Sequence, residues 1–114
     1  MKGGGSVTIN NALAALKLPV THPPYKGEAN EYITYQLITQ STTLYAEGIE
    51  AETSVLYSVD LYTDTPPFAE RIQEIKRLLA AADWSCVVDA EMYETETGMY
   101  HIAMSAQHVG GIYG

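Results

Sequence analysis

The side chains best suited to chemistry are carboxylates on alternating stretches. Asp60 and Asp64 lie in "TSVLYSVDLYTD", and Asp89 and Glu91 lie in "SCVVDAEMYETETG". If both stretches are strands, the carboxylates project from one sheet face. There they could bind a hard divalent cation or move protons. The competing account is a solvated face, because outward strand positions are routinely charged. The other reactive types are poorly placed. His101 and His108 are an odd number of residues apart, so a strand sends them to opposite faces and they cannot share a metal. Cys86, the single cysteine, sits in the apolar run "SCVVDA" without a base nearby. It reads as a small hydrophobe in a reducing compartment, since it has no partner for an intrachain disulfide. "GEANE" and "YAEGIEAE" lack the alternating Asp ladder of a calcium loop. No phosphate loop, dinucleotide fingerprint or zinc motif is present. The expectation is a protein that is not an enzyme and has no cofactor and no metal.

Nine tyrosines against one Phe is the most unusual feature of the composition. Tyrosine combines a large apolar ring with a polar tip and loses little entropy when fixed. Tyr32, Tyr62 and Tyr93 fall on the outward parity of their stretches, as on a surface covered by another chain. Hydroxyls reaching solvent at the rim of a core would give the same pattern, and residue type does not separate the two.

These groups need a scaffold, and 114 residues with 46% hydrophobic content suffice for one modest core. The charge is −8, and the six Lys and Arg are scattered. That excludes the cationic footprint of sequence-specific nucleic-acid binding. No apolar run is long enough to cross a bilayer as a helix, so no membrane partner is expected. "TINNALAALKLP" has helical spacing at Ile9, Leu13 and Leu16, with Thr8 as N-cap and Pro19 as terminator. A Pro- and Gly-rich connector follows. "NEYITYQLITQ" reads as a strand with apolar groups on both parities. The acidic stretch from Thr42 to Thr53 reads as a long loop or hairpin tip. Val55, Tyr57, Val59 and Leu61 form the cleanest inward face.

In "TPPFAERIQEIKRLLAAAD", Phe68, Ile72, Ile75, Leu79 and Ala82 make a helical stripe. Asp64 or Thr65 serves as cap, with Pro66 or Pro67 in the first turn. Glu70 early and Lys76 and Arg77 late would suit the helix dipole. The rest reads as a hairpin turning at "ETETG". Trp84, Cys86, Val88, Ala90 and Met92 share one parity; Asp89, Glu91 and Tyr93 share the other. The expected fold is an α/β (α+β) domain, order α-β-β-α-β-β, with a mixed or antiparallel four-stranded sheet packed with two helices. It spans residues 7–108, between flexible ends at 1–6 and 109–114.

"PVTHPPYKGEANEYITYQLI", "LYAEGIEAETSVLYSVDLYTD", the amphipathic helix and "DAEMYETETGMYHIAMSAQ", in that order, resemble the tail-completion family of long-tailed bacteriophages and prophages. This family is similar to tail terminators and belongs to head–tail joining. The resemblance covers Pro19 to Gln107. It implies a homo-oligomeric ring, typically a hexamer, that caps the tail tube in the virion, ends tail polymerisation and meets the head–tail connector protein. Catalysis is not implied. The surface toward a neighbouring subunit or the tube would include Tyr32, Tyr62 and Tyr93, with Glu47, Glu50 and Glu52 of the acidic segment. The alternatives are a head-side stopper of similar build, or a small ligand- or metal-binding module using Asp60, Asp89 and Glu91.

Overall fold

A computed structural model of the chain describes residues 7–44 and 51–109. The chain runs through α1 (Ile9–Ala12), a 3-10 turn (Ala14–Leu16), β1 (Val20–Thr21), β2 (Glu31–Leu44), β3 (Ala51–Thr63), α2 (Ala69–Ala81), β4 (Ser85–Glu94) and β5 (Met99–Val109). The sheet is five-stranded, in the order β1-β2-β3-β5-β4. The expected four strands gain β1, hidden in the Pro-rich connector, which pairs parallel to β2 at Val20–Ile33 and Thr21–Thr34. The other pairings are antiparallel. β3 and β4 both oppose β5, so they run parallel to each other and α2 is their crossover.

The period-2 face of β3 is the centre of the core. Val55, Tyr57, Val59 and Leu61 are buried, and Leu61 lies between Ile33 and Ile102, which are also fully buried. Ile75, Leu79 and Ala82 of the α2 stripe are buried with them; Phe68, Ile72 and Leu78 pack at the margin. Facing a period-3.6 stripe with a period-2 sheet face removes both from water, which is why the two surfaces meet. Ile9, Leu13 and Leu16 close the core from the N-terminal side. Thr8 caps α1 as expected, its Oγ1 accepting from the Asn11 amide at 3.3 Å. The single helix expected there breaks after Ala12 into the 3-10 turn and ends at Lys17, which is left-handed at φ 62°.

The start of α2 differs from expectation. The helix begins at Ala69, so Pro66 and Pro67 precede it, and Phe68 at the N-cap position makes no side-chain cap bond. Glu70 is in the first turn, but the last turn holds no basic residue. A fork to the sheet anchors the helix instead. Arg71 donates from Nε and Nη2 to the two Glu31 carboxylate oxygens, each at 3.0 Å, and from Nη1 to Glu74 at 2.8 Å. At the far end, Trp84 donates its indole N–H to the Val7 carbonyl at 3.0 Å and meets Tyr57 edge-on.

The stretch expected as a long loop or hairpin tip belongs to a hairpin, and much of it is strand. The β2–β3 ladder continues through Thr42–Thr53 to Leu44–Ala51. Glu52 therefore lies in β3 opposite Thr43, while Glu47 and Glu50 lie outside the described residues. Val109, expected in a flexible end, pairs with Ser54. The "ETETG" turn is as expected, with Gly98 at φ 73° and its amide on the Glu94 carbonyl at 2.8 Å.

Candidate functional site

Two bulges decide which side chains meet, the first in β2, where the register slips between Leu37 and Thr39. In β4 the register slips between Val88 and Ala90. Before it, Cys86 and Val88 oppose Ala106 and Met104 on the helix-covered face. After it, Ala90 and Met92 oppose Ala103 and His101 on the outer face, and Glu91 and Tyr93 move to the helix side. The expected grouping of Tyr93 with Tyr32 and Tyr62 is thus overturned. Tyr93 packs on Tyr100 at 4.9 Å between ring centroids, and Tyr100 packs on Phe68. Likewise Cys86, Val88, Ala90 and Met92 do not share one face.

Tyr32 and Tyr62 do come together. On the outer face they belong to a ladder of rings, Tyr25–Tyr32–Tyr62–His101, with centroid separations of 4.1, 4.8 and 4.3 Å. Cross-strand opposition of residues 32, 62 and 101 builds three rungs. Tyr25 is delivered by the loop before β2: its hydroxyl accepts from the Ala29 amide at 2.9 Å, and Gly27 lies so close under the ring that a Cβ there would collide with it. This answers why β2 is apolar on both parities. Ile33 and Tyr35 serve the core, and Tyr32 serves the ladder. His101 Nε2 is 3.1 Å from Asp60 Oδ1, and its Nδ1 lies 3.7 Å from Glu94 Oε2. Burial, then the nearby Asp60, Glu94 and Tyr32, push the Tyr62 phenol up to about 12; burial and Glu94 also raise Tyr32. Both hydroxyls are neutral at ordinary pH, so the ladder is a stiff amphipathic surface of donors and acceptors.

The carboxylate set expected as a metal-binding alternative is not assembled. Asp60 is engaged with His101, Asp89 accepts from the Ser105 hydroxyl, and Glu91 is carried to the other side of the strand. Among the described residues no cluster of three His, Cys, Asp or Glu is arranged to hold an ion. Burial pushes the Cys86 thiol up to about 11, as suits a packing role.

The exposed apolar groups show a pattern the sequence reading missed. Seven large ones are exposed among the described residues, and six of them lie on β2 and β4: Leu37, Ile38, Val87, Val88, Met92 and Tyr93. These strands lie toward opposite ends of the sheet. Each exposes about half of these side chains, with Val87 at 55% and Ile38 at 53%. Consecutive apolar positions at 86–88 and 37–38 break strict alternation, and that was the available signal.

No protein-family model matches the chain. No curated protein matches it either. Among solved structures, a chain from the virion of a native gene transfer agent particle is similar at 16% identity and TM-score 0.44, over 84% of this chain and 81% of that one. A likeness this slight carries no weight for fold or function.

Proposed function

We propose that this chain is a structural protein of a phage or prophage virion that assembles head-to-tail into a ring on the end of a tail tube. There it stops tube growth and presents its other side to the head connector. The observation that carries the reading is the placement of six exposed apolar side chains on two different strands toward opposite ends of one sheet. Two unlike surfaces on one molecule favour heterologous contacts, and heterologous contacts repeated about an axis close into a ring. The resemblance of the motif order to the tail-completion family supports the tube as partner. The outer ladder of Tyr25, Tyr32, Tyr62 and His101 offers a rigid aromatic surface for a protein partner.

The test is mass by light scattering across protein and salt concentration, repeated with purified tail tubes. At −8 per chain, copies repel one another, so assembly should strengthen as salt screens the charge. A strict monomer under all conditions, with no attachment to tube ends, refutes the reading.

A further inference from the structure

We propose that copies of this chain join by pairing the free edge of β4 with the free edge of β2 in the next copy, antiparallel, so that one sheet continues through the assembly. The inference rests on the head-to-tail reading above and names the contact that makes it.

Both edges are open among the described residues. β4 pairs only with β5. β2 is covered on its outer side only at Ile33 and Thr34, by β1. Just past that, His22 donates from Nδ1 to the Tyr35 carbonyl at 3.0 Å and closes off the covered part. Residues 36–44 of β2 then match the span of β4 closely. An open strand edge is a row of unpaired donors and acceptors, a template for another strand. Here both edges also carry exposed apolar side chains, so pairing would bury them while satisfying backbone groups.

Direction agrees. Across the sheet β2 and β5 run one way, and β3 and β4 the other. A second copy placed in the same orientation beside β4 presents its β2 antiparallel to it. Charge selects this pairing over the symmetric ones. β4 carries Asp89, Glu91 and Glu94 and no cation, whereas residues 32–44 of β2 carry no charge at all. Pairing β4 with β4 would oppose carboxylates with carboxylates, which is destabilising across strands. Pairing β2 with β2 would leave Val87, Val88, Met92 and Tyr93 uncovered. Register follows from sparing β1: Tyr93 falls opposite Leu37, both on the helix-covered side, Met92 beside Ile38, and Glu94 opposite Gln36.

The experiment is disulfide trapping in the full chain with Cys86→Ser as background. Tyr93→Cys and Leu37→Cys variants are made separately, oxidised alone and then mixed. Cross-linked dimers in the mixture, and in neither variant alone, are the expected result. Self-cross-linking of Tyr93→Cys, or of Leu37→Cys, would overturn the proposal in favour of a symmetric contact. A mixture without cross-links whose parent protein still assembles by light scattering overturns the pairing and leaves the ring reading standing. A parent that never assembles removes both. If a cysteine variant fails to fold, charge at Ile38 gives a second readout. Ile38→Asp, facing the β4 carboxylates, should abolish assembly, and Ile38→Lys should retain it. Equal effects of the two would refute the pairing.

Discussion

Leu61→Ala tests the core that positions both surfaces. Leu61 is fully buried, flanked across the sheet by Ile33 and Ile102, and faces the layer that holds Ile75 and Leu79. The substitution deletes three side-chain carbons, worth roughly 2.4 kcal/mol of transfer at about 0.8 per carbon. Neighbours on three strands are fixed by their ladders and cannot collapse into the space. A cavity contribution is therefore added, and the total should be about 3–4 kcal/mol, within the usual range of about 2–5 for such sites. With a urea slope of about 1–3 kcal/mol per M, the midpoint should fall by roughly 1–4 M at an unchanged slope. The control is Val87→Ala on the exposed edge, which should cost less than about 1 kcal/mol. Both are measured by urea unfolding followed through Trp84 fluorescence, in dilute low-salt buffer. If Leu61→Ala leaves the midpoint in place, or shifts it no more than Val87→Ala does, the assignment of this face to the core is refuted.

Glu31→Gln should lower thermal stability by about 1 kcal/mol: it weakens the fork to Arg71, and the roughly one-quarter exposure of both groups limits the effect. Tyr62→Phe should remove the latest component of the tyrosinate absorbance titration. The folded phenol is held near 12 against an ordinary 10.0, so its stabilisation is complete below pH 10 and lost as pH climbs toward 12. The wild type should therefore lose stability over that window relative to Tyr62→Phe. Cys86, raised to about 11 by burial, should react with maleimide at least about tenfold more slowly in the folded chain than in urea. Equal rates would mean that the thiol is not shielded.

The sequence by itself determined the inward face of β3, the α2 stripe and the separation of His101 from His108, because alternation and helical spacing are local and the burial of apolar groups enforces them. It also put Tyr32 and Tyr62 on the outward parity of their strands, and the structure has both rings on the outer face, stacked on each other. Four features were decided only in three dimensions. Val20 and Thr21 favour extended backbone, but a two-residue strand among prolines becomes visible only through the β2 edge it pairs with. The slip after Val88 sends Tyr93 and Glu91 to one face and Met92 to the other, and a bulge is set by the ladder it interrupts. The ladder itself needs Tyr25 from a loop and His101 from β5, residues distant in sequence. The apolar edges of β2 and β4 emerge only once strand order is known, because exposure belongs to a strand's place in the sheet and not to its composition.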